Sequence, residues 1–236
     1  MMRRPALIAS LGLVATLAAC GARAPGDTLF PLEPGRRWTY DVVTQFENDT
    51  EEREARVLET LGPESLEDGP AWRRRSDSGV DYWLRSDASG IYRVASKSDL
   101  EPEPRRDKEP RFVLKQPIAV GTSWRAGTTA YLLMRREEFP REIRHSHPDV
   151  PMTYTIEALG EAVQVRAGRF EGCVRVRGQA TLRLFADPVA GWRDLPLTTT
   201  EWYCPGVGLA KLVREEPAKS SFLTGGTLTM ELVEQR

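Results

Sequence analysis

From Trp38 the chain alternates: Trp38, Tyr40, Val42, Thr44 and Phe46 fall on one face of an extended segment, and Thr39, Asp41, Val43 and Gln45 on the other. A period of two marks a half-buried strand. Similar alternation, or a β-rich composition, recurs at 55–61, 71–75, 80–85, 90–96, 153–159, 162–166, 173–184, 197–204, 209–214 and 227–233. Turn clusters separate these runs, among them Gly62-Pro63-Glu64, Asp87-Ala88-Ser89-Gly90, Ala167-Gly168 and Gly225-Gly226. Strand after strand with short turns predicts an all-β domain, a large twisted antiparallel sheet or half-barrel. Two segments read differently. Residues 98–111 are mostly charge and proline and are expected to form a solvated loop. Residues 128–138 suit either a strand running into a loop or a short helix, and the β context favours the strand.

A short echo divides the chain. Pro31-Leu32-Glu33-Pro34-Gly35-Arg36-Arg37-Trp38 and Pro117-Ile118-Ala119-Val120-Gly121-Thr122-Ser123-Trp124 share the order Pro, aliphatic, two residues, Gly, two residues, Trp. Pro stiffens the approach, the aliphatic side chain docks, Gly permits a tight turn and Trp closes the start of the next strand. The echo suggests two similar halves, 29–116 and 117–236, although a shared way of starting a strand would leave the same trace.

The β pattern does not reach the first residues. Arg3 and Arg4 precede an uncharged apolar stretch, 6–19, which has the layout of a signal peptide and is shorter than the roughly 18 or more apolar residues of a membrane span. It ends Leu17-Ala18-Ala19-Cys20-Gly21, which resembles the lipobox of bacterial lipoproteins. The resemblance implies cleavage between Ala19 and Cys20 and a diacylglycerol on the Cys20 sulfur. With Gly21 rather than Asp after the cysteine, it also implies the outer membrane, facing the periplasm. An ordinary secretory signal with Cys20 incidental is the alternative. Residues 1–19 are thus read as a signal helix, 20–28 as a lipidated tether of small, turn-prone residues, and 29–236 as one domain. At about 0.8 kcal/mol per buried CH₂, the acyl chains form a lasting membrane anchor.

Loss of residues 1–19 removes only Arg3 and Arg4 from the 33 basic residues, leaving 31 against 34 acidic ones. Near neutrality argues against a phosphate-driven nucleic-acid partner. With Cys20 carrying lipid, Cys173 and Cys204 remain for an oxidising compartment. If the hairpin loop is centred between Pro188 and Val189, antiparallel pairing sets Cys173 opposite Cys204, within reach of a disulfide. A register shift of one residue would leave two free thiols on opposite faces instead. His145-Ser146-His147 offers two imidazoles in a polar, Pro-bounded stretch, and two ligands do not make a metal site. Arg73-Arg74-Arg75 is expected to be solvated or ion-paired. No nucleophile-elbow, zincin, Walker or Rossmann pattern is present, so neither an enzyme nor a cofactor is implied.

Three pieces carry a resemblance for the mature chain: Pro31-Leu32-x-x-Gly35-x-x-Trp38-x-Tyr40, Ala167-Gly168-Arg169-Phe170-Glu171-Gly172-Cys173, and Trp202-Tyr203-Cys204-Pro205-Gly206-Val207-Gly208-Leu209-x-Lys211. They are similar to pieces of a broad group of exported bacterial proteins and lipoproteins without assigned activity. That group implies a β-rich envelope domain and no binding residues. Cys204 stands where the group suggests Ala, so the bridge is not implied by the resemblance. Two functions remain open. One is a lipid or other apolar ligand held on a curved sheet, with Trp38, Tyr40, Trp83, Tyr92, Trp124 and Trp202 as candidate lining or plain core. The other is an envelope scaffold or assembly factor acting through a protein surface.

Overall fold

The computed structural model describes residues 29–135, 147–187, 189, 191–220 and 222–236. The signal segment, Ala19, Cys20, the tether 20–28, His145 and Ser146 lie outside the described residues. His147 is described only as the backbone start of a strand.

The described residues form fourteen strands. The first meander comprises β1 (Arg37–Phe46), β2 (Glu51–Leu66), β3 (Gly69–Ser76), β4 (Asp81–Asp87), β5 (Gly90–Lys97) and β6 (Arg105–Lys115). The second comprises β7 (Ser123–Ala130), β9 (His147–Val165), β10 (Gly168–Asp187), β11 (Gly191–Cys204), β12 (Gly208–Glu216) and β14 (Gly226–Gln235). A small separate pair, β8 (Met134–Arg135) and β13 (Leu223–Thr224), completes the set. Both meanders belong to one antiparallel sheet of order β6-β5-β4-β3-β2-β1-β14-β12-β11-β10-β9-β7, joined where β1 pairs with β14. The sheet curls until its outermost strands approach each other: on β7 the indole of Trp124 donates to the Phe112 carbonyl of β6 at 3.2 Å. One buried cluster accordingly mixes Leu84, Ile91 and Leu114 of the first meander with Ile156, Val174 and Val176 of the second. The protein is a nearly closed, barrel-like antiparallel sheet.

The local reasons are legible strand by strand. In β1, Trp38, Tyr40, Val42, Thr44 and Phe46 are all buried, while Thr39, Asp41, Val43 and Gln45 are half-buried or exposed. Residues 153–159 and 162–165 belong to one strand, β9, which ends one residue short of the expected 162–166 and is irregularly paired with β10 near Gly160, which has a positive φ of 75°. The turn residue there reads as a break in sequence, but it marks a bulge.

The expectation of a loop over 98–111 is corrected for 105–111, which form most of β6. This strand lies at the sheet's edge, where charge and proline block further pairing and so are favoured. Across 128–138, β7 ends at Ala130 and only Met134–Arg135 is again a strand. Residues 136–138 lie outside the described residues.

The echoed segments adopt the same local geometry. Gly35 and Gly121 both have positive φ, 78° and 90°. Gly35 N–H donates to Thr60 O at 2.7 Å, and Thr60 N–H returns a bond to Arg36 O at 2.8 Å. Gly121 N–H donates to Ile156 O and Ile156 N–H to Thr122 O, both at 2.9 Å. Each turn therefore zips onto a neighbouring strand through the same pair of bonds. Only glycine takes this backbone without a steric penalty. Trp38 and Trp124 then play matching parts, each buried with its indole N–H on a distant carbonyl, Val207 O at 2.7 Å and Phe112 O at 3.2 Å.

The complete sheet and its core clusters lie within residues 29–236. A chain from Gly21 onward therefore retains every described strand and core contact.

Candidate functional site

The three sequence pieces singled out above converge at one end of the curled sheet. Trp38 donates to Val207 O, Arg36 to Gly206 O at 2.7 Å, and Pro31 lies against Gly208. Cys173 of the second piece is bonded to Cys204 of the third as a disulfide. The observed register Val174↔Tyr203 through Phe185↔Trp192 centres the hairpin between Pro188 and Val189 and sets the two cysteines opposite each other. These residues plug an end of the sheet, which is structural work.

The interior between the two meanders is different. Tyr40, Arg74, Tyr82, Leu84, Arg111 and Phe112 from the first meander face Thr128, Tyr154, Glu201, Tyr203 and Leu209 from the second across an open cleft of about 470 Å³. That volume falls within the roughly 300–1,000 Å³ of small-molecule sites. The walls include apolar patches such as Phe30, Leu58, Leu84 and Val113, but the polar groups are unusually many for a sheet interior.

Each polar group has a traceable origin. Arg74 on β3 points inward while Arg73 and Arg75 point outward, where both pair with Asp81, at 2.7 and 2.8 Å. The buried Arg74 guanidinium donates to Pro31 O at 2.6 Å and Thr60 Oγ1 at 3.2 Å, and lies 4.3 Å from the ring centroids of both Phe30 and Trp38. Burial pulls its pKa down to about 10, so it stays cationic at neutral pH. Tyr203 OH donates to Glu201 Oε2 at 2.6 Å, and Thr199 Oγ1 donates to Oε1 at 3.2 Å. Burial pushes the Glu201 carboxyl above the ordinary carboxylate range, outweighing those bonds. Burial likewise pushes Tyr154 up to about 12. Tyr154 stacks on Trp124, with centroids 5.8 Å apart. Gly178 makes room for this ring: a Cβ there would stand 2.9 Å from Tyr154 Cε1 and 2.7 Å from Met152 Sδ.

Of the six aromatic candidates, the structure brings only Tyr40 into the cleft, its hydroxyl donating to Leu209 O at 3.0 Å. Trp38 seals the end and Trp124 backs Tyr154. Trp83 is buried in a separate cluster with Ala71, Val94 and Ala95, its indole on Glu64 Oε2. Tyr92 binds Asp87 and Trp202 binds Glu161 through their polar atoms. Sequence reasoning missed Arg74, set aside with its solvated neighbours, and Arg111, set aside within a loop. Alternation along β3 held the signal for Arg74; for Arg111 the edge position of β6 hid it. Among the described residues no group of three or more His, Cys, Asp or Glu is placed to hold a metal ion, and no helix is long and apolar enough to cross a membrane.

No family model matches this chain, and no curated protein matches it. Two solved structures do. One is described as an exported protein with a YmcC-like fold from Bacteroides fragilis, 14% identical, with a TM-score of 0.37 over 88% of this chain and 98% of that one. The other is described as a lipoprotein from Parabacteroides distasonis, 14% identical, with a TM-score of 0.39 over 89% of this chain and 98% of that one. Scores this low do not establish a shared fold, so the cleft is interpreted from its own residues.

Proposed function

We propose that this protein is a non-enzymatic binding protein of the bacterial envelope, anchored by lipid on Cys20 at the outer membrane and facing the periplasm, that holds one small molecule inside its curled sheet. The observation that carries the reading is the open cleft between the meanders. Its lining joins apolar walls to inward-facing arginine, tyrosine and carboxyl groups, where a closed core would pack aliphatic side chains. The lining turns the expectation of an apolar ligand toward an amphipathic one. Anchoring is supported by the lipobox Leu17-Ala18-Ala19-Cys20. A binding role is supported by the chemistry of the cleft: its carboxyl is engaged by Tyr203 and Thr199, and both remaining cysteines are bonded to each other.

The scaffold reading has one observation in its favour. At the tip of the β10–β11 hairpin, Phe185 and Trp192 pair edge to face at 5.7 Å with Trp192 62% exposed, beside the exposed Val189. Native mass spectrometry of the chain from Gly21 onward, expressed in the periplasm, separates the readings. The expected spectrum shows a fraction of molecules carrying one additional small mass that is lost on denaturation. A bare polypeptide mass, with no uptake from an envelope lipid extract, would count against the cleft and for the hairpin tip.

A further inference from the structure

The cations of the cleft outnumber its anions, and one of them is left over. Arg93 donates to Asp107 at 2.7 Å and is thereby neutralised. Arg74 hydrogen-bonds neutral oxygens only. The Arg111 backbone pairs with Arg93 across the β5–β6 ladder, while its guanidinium, near Asp107, Tyr82 and Tyr154, makes no side-chain hydrogen bond or salt bridge among the described residues. Glu201, the one carboxyl in the lining, is held by Tyr203 and Thr199, and Arg214 beneath it is balanced by Glu216.

A guanidinium carries five donors in a rigid fork and keeps its charge at any physiological pH. Half-buried in the wall of the open cleft, it has donors available to an acceptor that enters, and a pair formed there is less screened than one at the surface. The walls beside it, Leu84, Phe112 and Val113, are apolar. A group that satisfies both must be charged at one end and apolar along its body.

Resting on the reading of the cleft as a ligand site, we infer that the ligand is a small amphipathic anion whose oxyanion pairs with the guanidinium of Arg111 and whose apolar body lies along Leu84, Phe112 and Val113. At about 470 Å³ the cleft takes one such molecule and excludes a polymer. Arg74, on β3 and buried against Phe30 and Trp38, adds positive potential to the cleft without spending its donors on a carboxylate.

The test uses two fluorescent probes with the same aromatic body, 8-anilinonaphthalene-1-sulfonate, which is anionic, and N-phenyl-1-naphthylamine, which is neutral. They are titrated into the chain from Gly21 onward. The sulfonate is expected to bind at least about tenfold more tightly than the neutral probe, the size of one charge-assisted pair. Arg111→Gln is expected to weaken sulfonate binding about tenfold and so remove that preference, and Arg111→Lys to retain most of it. Because the Arg111 side chain bonds no described residue, its replacement strands no partner, and circular dichroism of the variants confirms that they fold. Displacement of the sulfonate by dodecanoate or dodecyl phosphate at about tenfold lower concentration than dodecanol would support the inference, and the stronger of the two names the oxyanion. Equal affinity for both probes, unaltered in Arg111→Gln, would overturn the anion and leave the cleft. Failure of both probes to bind would overturn the cleft itself.

Discussion

Glu216→Ala is expected to destabilise the domain by about 3–5 kcal/mol, the usual consequence of removing one partner of a buried ion pair. Glu216 has no exposed surface, and it accepts from Arg214 Nε at 2.6 Å, Tyr131 N at 3.1 Å and Leu132 N at 2.8 Å. Arg214, itself buried, also donates to Thr128 Oγ1 at 3.0 Å and Thr129 O at 2.9 Å. The substitution leaves a guanidinium without its carboxylate and two amides without an acceptor. The pair pins the end of β7 against β12 and so sets the cleft wall at Thr128 and Thr129. Thermal unfolding should move down by on the order of 10 °C. Glu216→Gln, which keeps an amide oxygen for Tyr131 and Leu132, should lose less. A loss below about 1 kcal/mol for the alanine variant would show that the pair contributes little.

The second large effect concerns the plugged end. Cys173 and Cys204 are both fully buried and 31 residues apart in sequence. Closing a loop of that length restricts the unfolded chain by roughly 3–4 kcal/mol on the chain-entropy account. The double variant Cys173→Ala, Cys204→Ala should therefore unfold at a clearly lower temperature. Dithiothreitol should lower the midpoint of the parent protein and leave that of the variant unaltered. Equal midpoints with and without reductant in the parent would contradict the contribution assigned to the bridge.

How much of this was written in the chain depends on what each strand faces. β1 was legible because it meets apolar core on one side and solvent or polar neighbours on the other. The β10–β11 register was legible because symmetric pairing about Pro188 and Val189 brings the two cysteines opposite each other. β6 was not: Arg105, Arg106, Asp107, Lys108, Glu109 and Pro110 carry the composition of a loop, and an edge strand tolerates that composition.

The cleft was hidden for a related reason. A side chain facing a polar cavity looks in sequence like one facing water, so Arg111 and Glu201 carry no signal of their own, and alternation along β3 marks the face of Arg74 without saying what that face meets. Of the two readings open for the tryptophans, lining or plain core, Trp38, Trp83 and Trp124 take the second. Large aromatics mark the tightest packing, and Trp38, Trp83 and Trp124 fill the structure around the cleft more than they line it. The echoed Pro-Gly-Trp segments, by contrast, predicted a shared local geometry because backbone demands at Gly35 and Gly121 are independent of environment.

The central claim is that the interior of the curled sheet is a ligand site. Crystallisation of the chain from Gly21 onward with 8-anilinonaphthalene-1-sulfonate tests it most directly. The ring system is expected between the two meanders, along Leu84 and Phe112, with sulfonate oxygens in hydrogen-bond reach of Arg111. A cleft closed by its own side chains, with the probe only at Phe185 and Trp192 of the hairpin tip, would contradict it.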